Sequence, residues 1–190
     1  MTAIASESVR FSDVIAHEYA PNIAYCREVI TAYEASEVDY VVGTVLGKYL
    51  VSGSATAVAG GSNTGNGTMG SITVSAWAIP GVYTLRITVA ASNAGAFEII
   101  NEAGARVGTG NVASAFVGAG LAFTLADGST DFAAGDIFYI TVTGTEKWKR
   151  VEATALDGTQ IARAIYIGGL TPSTAYNTST IAAPTDTSVL

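Results

Sequence analysis

Apolar and polar positions alternate with a period of two through the middle of the chain. Ile72 and Val74 alternate with Thr73 and Ser75; Tyr83, Leu85, Ile87 and Val89 alternate with Thr84, Arg86 and Thr88. Leu121, Phe123 and Leu125 form a third such face, and Phe138, Ile140 and Val142 a fourth. Successive side chains of a strand point to opposite faces, so each run predicts a strand with one face buried. Turn chemistry separates the runs: Pro80-Gly81, Asn93-Ala94-Gly95, Asn101-Glu102-Ala103-Gly104, Asp127-Gly128 and Ala134-Gly135-Asp136. No stretch at helical spacing interrupts them. The pattern predicts an antiparallel β-sandwich.

The flanks are built differently. Residues 1–24 carry scattered apolar positions without a period and predict an extended arm. Residues 25–33 and 40–50 predict strands, and residues 150–153 and 162–167 two more around the turn Asp157-Gly158-Thr159. The fold class expected is therefore mainly β, a small β-rich body split by an inserted β-domain.

Composition sharpens that division. Of the 21 glycines, 15 lie between Gly53 and Gly135, and between Lys48 and Lys147 the only basic residues are Arg86 and Arg106. The polar stretch 59–67 reads as a flexible linker at the left edge. Thr143-Gly144-Thr145 marks the right edge, just before Glu146-Lys147-Trp148-Lys149-Arg150. The expected organisation is an arm over 1–24, a body from 25–58 and 145–175, an inserted β-sandwich domain over 59–144, and a Ser/Thr/Ala-rich tail over 176–190.

Charge and scarce residue types exclude more than they assign. Sixteen acidic against nine basic residues give a net charge of −7, and only 13% of residues are charged. An apolar content of 49% can build a core, which argues against a disordered acidic chain. The acidic balance argues against nucleic-acid binding, which needs cationic surface to release counterions. No apolar run approaches the roughly 20 residues that span a bilayer. The first ten residues show neither a cationic leader nor an apolar segment, so no secretory signal is expected. Cys26 and His17 are the single cysteine and histidine, leaving disulfide, metal and triad chemistry very little to use. The expectation is no enzyme, no catalytic residues, no cofactor and no metal.

Four local patterns bear on that expectation. Gly65-Asn66-Gly67-Thr68-Met69-Gly70 matches the dinucleotide fingerprint in letters, but a polar stretch precedes it and a strand follows, where a strand and a helix are required. Asp127, Asp131 and Asp136 lie close together, yet without calcium-loop spacing, and read as turn-capping aspartates. Glu98 and Glu102 are a carboxylate pair whose separation the sequence does not give. Lys147-Trp148-Lys149-Arg150 is the one basic-aromatic cluster; Trp148 and Arg150 are candidate interface residues for an acidic partner surface, the other reading being a domain junction where Trp148 packs and the cations stay wet.

The flanks also carry a resemblance. Val42-Gly43-Thr44-Val45-Leu46-Gly47-Lys48 is similar to the opening of the lambda-type head decoration (capsid cement) proteins of tailed bacteriophages. Asp157-Gly158-Thr159-Gln160-Ile161-Ala162-Arg163-Ala164-Ile165 resembles that family's second signature. Pro80 to Leu85, Asn93 to Phe97 and Leu121 to Asp136 resemble a β-module found within virion proteins. The resemblance implies a β-barrel-like decoration core with an inserted module. It also implies a homotrimer on the outer surface of the virion capsid, locking major capsid protein subunits together. The residues then expected to touch the capsid are Val9, Phe11, Val14, Ile15, Tyr19 and Ile23 of the arm, unless they cover this chain's own core. A tail or baseplate subunit, or a carbohydrate-binding β-module, is the rival expectation. Trp77 and Tyr83 read as core, with stacking on a host-surface glycan as their other reading.

Overall fold

The structure, a computed structural model, describes residues 28–30, 32–33, 40–166 and 187–189. The arm residues Val9, Phe11, Val14, Ile15, Tyr19 and Ile23, together with His17 and Cys26, lie outside the described residues. The described part is all β, with no helix, and its strand pairs are antiparallel. An isolated bridge between Ala32 and Trp148 is parallel.

Twelve strands follow in chain order: β1 (Glu28–Ile30), β2 (Val45–Ala59), β3 (Thr68–Met69), β4 (Thr73–Val74), β5 (Gly81–Ala91) and β6 (Ala94–Ile100), then β7 (Arg106–Asn111), β8 (Ala115–Gly118), β9 (Leu121–Ala126), β10 (Ile137–Arg150), β11 (Ala164–Ile165) and β12 (Thr187–Val189). The described residues divide into two compact units. A flank unit takes those up to Tyr49 and from Glu146 onward, and a middle unit takes Leu50–Thr145. The division falls inside β2 and β10.

In the middle unit the sheet order is β2-β10-β5-β6-β7, and β9 pairs with β3, β4 and β8 in a second sheet. One core lies between these sheets. Tyr83, Leu85 and Ile87 of β5, Phe138, Ile140 and Val142 of β10, and Leu121, Phe123 and Leu125 of β9 are all buried in it, as their alternation predicts. Val89 departs from its run and is 57% exposed. The register shifts between Ile87 and Val89, so Thr88 is an extra residue on β5. A bulge of this kind moves the next side chain to the other face.

Some strands carry no readable signal. Arg106-Val107-Gly108-Thr109-Gly110-Asn111 has no apolar alternation, yet forms β7 against β6. Its glycines leave room for aromatic rings: a Cβ on Gly110 would stand 2.5 Å from Cζ of Phe97. Phe97, Phe116 and Phe123 form a trio with centroid separations of 5.9, 6.1 and 5.0 Å. β2 likewise continues well past residue 50, and Leu50, Ala55 and Ala57 pack on this core. The first strand of the middle unit therefore begins before the expected boundary at 59.

The stretch 59–67 is not a flexible linker. Asn63 Nδ2 donates to the Ile137 carbonyl at 2.7 Å, and Asn63 Oδ1 accepts from the Ile137 N–H at 2.9 Å. Asn66 Oδ1 accepts from the Thr130 N–H at 2.9 Å. Phe132, 2% exposed, lies against the backbone of Gly65 and Gly67, where any side chain would collide with its ring. The glycines of the fingerprint-like stretch thus seat an aromatic side chain. Composition shared with linkers gave no hint of this, because the partners lie about 70 positions away in the chain.

Candidate functional site

The two flank motifs come together in one place. β11 pairs with the start of β2, Ala164 opposite Leu46 and Ile165 opposite Val45. The Arg163 N–H donates to the Leu46 carbonyl at 2.8 Å, and the Gly43 N–H to the Tyr166 carbonyl at 2.8 Å. Gly47 faces the Asp157-Gly158-Thr159 turn so closely that a Cβ would stand 2.6 Å from the Thr159 Cα. Thr159 is fully buried there. Asp157 Oδ1 holds the turn by accepting from the Thr159 N–H at 3.1 Å and from its hydroxyl at 2.5 Å.

A small core backs this node: Leu46, Trp148 and Tyr166, with Tyr40 and Ala164 against them. Trp148, expected at an interface, is 9% exposed and serves that core. Lys48 lies over its ring, 5.4 Å from the centroid, and pairs with Glu146 at 2.5 Å. The other cations of the cluster are also engaged within the unit. Lys147 stands over Tyr33, and Lys149 reaches Asp157 Oδ2 at 2.8 Å. Arg150 is exposed and has its own contacts. Lys147, Trp148 and Lys149 of the cluster thus make contacts within their own unit. Of the two readings the sequence offers for this cluster, the burial of Trp148 agrees with packing at a junction, because long lysine stems can cover a buried ring while their charges stay wet.

Burial acts to raise the Asp157 pKa, but Lys149 and the two Thr159 donors outweigh it and bring the group from 3.8 down to about 2. The folded state thus favours the carboxylate, and the stability it lends is present above pH 3.8 and lost as pH falls toward 2. Discounted for a side chain 30% exposed, that contribution is about 1 kcal/mol. Asp157→Asn is expected to reduce stability at neutral pH and to flatten this acid limb, read by denaturant titration of Trp148 fluorescence. An unchanged acid limb in the variant would remove the assignment.

The three aspartates of the middle unit take different partners. Asp136 accepts from the backbone N–H groups of Thr64 (2.8 Å), Gly65 (2.9 Å) and Ala133 (3.0 Å). Asp131 accepts from the Asn93 N–H at 2.9 Å. Neither carboxylate oxygen of Asp127 has a partner among the described residues. Among the described residues no group of three or more His, Cys, Asp or Glu is placed to hold a metal ion. Glu98 pairs across strands with Arg86, which separates its role from that of Glu102.

Glu102 instead lines a cleft of about 350 Å³ in the middle unit, with Trp77, Ile79, Val82, Tyr83 and Asn101 among its walls. Tyr83 is core, as expected, and its hydroxyl donates to the Ile79 carbonyl at 2.8 Å. Trp77 is not core: it is 44% exposed at the cleft. The segment carrying it is tied down by the Ser75 N–H, which donates to the Gly120 carbonyl at 2.8 Å. Asn101 Oδ1 accepts from the Ala105 N–H at 2.8 Å, which leaves its NH₂ group without a partner among the described residues. The sequence signal for this cleft was only the pairing of Trp77 and Tyr83 as aromatic residues near a Pro-Gly turn.

No helix among the described residues is long and apolar enough to cross a membrane. No protein-family model matches the chain, and no curated protein matches it. Among solved structures the chain is similar to FlgL of Xanthomonas campestris in two crystal forms. In the H3 form the identity is 24% and the TM-score 0.40, over 56% of this chain and 33% of FlgL. In the C2 form the identity is 24% and the TM-score 0.40, over 57% and 35%. The chain thus spans about a third of the length of that protein, and a likeness this distant assigns no function.

Proposed function

We propose that the protein is a head decoration protein of a tailed bacteriophage, non-enzymatic, binding the outer surface of the expanded capsid as a homotrimer and bridging major capsid protein subunits. The observation that carries this reading is the meeting of Gly47 with Thr159 and of β2 with β11. The two motifs that resemble the decoration family stand far apart in the chain, on either side of the middle unit. Their packing against each other supports reading them as parts of one domain with a module inserted between them.

In this reading the arm, residues 1–24, makes the capsid contact. An extended segment adds a strand to an exposed sheet edge through main-chain hydrogen bonds, with apolar side chains such as Phe11 and Tyr19 setting register. Ordering the arm costs entropy, and three arms on one trimer offset that cost through effective concentration.

Deleting residues 1–24 is expected to abolish binding to expanded capsids in a co-sedimentation assay, while the truncated protein still sediments as a trimer. Saturation of capsids by the truncated protein would overturn the role of the arm. Assembly of the full chain into rings or tubes would point instead to a tail or baseplate subunit.

A further inference from the structure

We infer that the cleft at Trp77 is a saccharide-binding site that accepts one or two neutral pyranose rings. Its volume of about 350 Å³ lies at the small end of ligand sites, roughly 300–1,000 Å³. Tyr83 is a buried part of the lining, and its hydroxyl is already used on Ile79, so it offers the cleft an apolar ring. Trp77, also in the lining, is 44% exposed. A flat aromatic face in water is covered well by the C–H face of a sugar ring, which is apolar in the middle and polar at its edge.

The polar groups fit the same ligand. The Glu102 carboxylate has no hydrogen bond or ion pair among the described residues and is an open acceptor. Asn101 has spent its oxygen on Ala105 and keeps two N–H donors. Sugar hydroxyls both donate and accept, so one open acceptor beside one open donor suits a pair of them. A cationic side chain would use the carboxylate and the indole but leave the Asn101 donors facing another donor. The sign of the charge narrows the class. The middle unit holds five carboxylates against two arginines, and Glu102 is in the cleft itself, so anionic sugars are repelled.

The walls are also set before a ligand arrives. Gly81 has φ of +142°, and a Cβ there would stand 3.1 Å from Glu102 Oε2, so the carboxylate rests against the start of β5. The Asn101–Ala105 and Ser75–Gly120 bonds tie down the backbone near the cleft residues Asn101 and Trp77. Preformed walls reduce the entropy lost on binding.

This site is independent of the capsid reading, and its test uses no capsid. The full chain is titrated with maltotriose, cellotriose, triacetylchitotriose and, as the anionic control, sialyllactose, by calorimetry and by tryptophan fluorescence. Trp77 is open and Trp148 buried, so a change in emission reports the cleft. At least one neutral trisaccharide is expected to bind at millimolar concentration or below and to alter that emission. Trp77→Ala is expected to weaken binding about tenfold or more, and Glu102→Gln, at an exposed position, severalfold with an unchanged far-UV spectrum. Failure of all three neutral sugars, equal affinity for sialyllactose, or undiminished binding by Trp77→Ala would overturn the assignment. So would Trp77-dependent capture of a lysine-rich peptide in place of the sugars.

Discussion

Gly47→Val is expected to destabilise the flank unit by about 3 kcal/mol or more, the upper end of what overpacking a well-filled site costs. The position is buried, and the atoms its first side-chain carbon would meet are the Cα and carbonyl carbon of Thr159, at 2.6 and 2.8 Å. A flexible side chain could swing away; backbone cannot. Relief requires β2 to move off the Asp157-Gly158-Thr159 turn, which strains the Arg163–Leu46 hydrogen bond and the β2–β11 pair. Trp148 is a built-in reporter, because it is buried beside Leu46 while Trp77 is open. Its emission is expected to shift to the red at lower denaturant concentration in the variant. A transition at the wild-type midpoint would mean the close approach at Thr159 is not what holds these motifs together.

Asp136→Asn is expected to cost about 3 kcal/mol in the middle unit. Asp136 is 4% exposed and is the acceptor for three backbone N–H groups. An asparagine keeps one oxygen for Thr64 but turns an NH₂ group toward the donors of Gly65 and Ala133. Two part-buried donors without an acceptor cost about 1–2 kcal/mol each, toward the lower part of the range for buried groups. Burial alone pushes the Asp136 carboxyl up, but the Gly65, Thr64 and Ala133 N–H groups more than offset it and hold the pKa below 3.8. The sign of the pH dependence follows. The carboxylate stabilises the fold at pH above 3.8, and that stabilisation is lost as pH falls through the lowered native value. Wild-type stability should therefore drop in acid, and the variant should start lower and fall less steeply. Denaturant titrations at about pH 7 and about pH 3 check both statements. A parallel drop in the two proteins would show that Asp136 is not the group that titrates.

The strands of the middle unit were legible where alternation was unbroken, at Tyr83 to Ile87, Leu121 to Leu125 and Phe138 to Val142. The reading failed at Val89, where one extra residue reverses the faces, and at β7, where glycine stands in for the apolar residues that mark a strand. The candidate sites were less legible. Trp148, readable from sequence either as an interface residue or as packed at a junction, is buried, and Trp77, read as core, is 44% exposed. Burial of a single large side chain depends on what packs over it, which local spacing does not encode. The resemblance motifs were readable as letters, but their contact at Gly47 was not.

By itself, then, the sequence determined the β class, the buried faces of the main strands and the uneven distribution of charge and glycine, because these depend on neighbours one to four positions away. The tertiary structure decided that residues 59–67 form a built loop, that Gly65 and Gly67 seat Phe132, that Trp148 is core and that Trp77 borders a cleft. Each of these turns on groups brought together from distant parts of the chain, where the space available and the hydrogen-bond partner at hand fix the outcome.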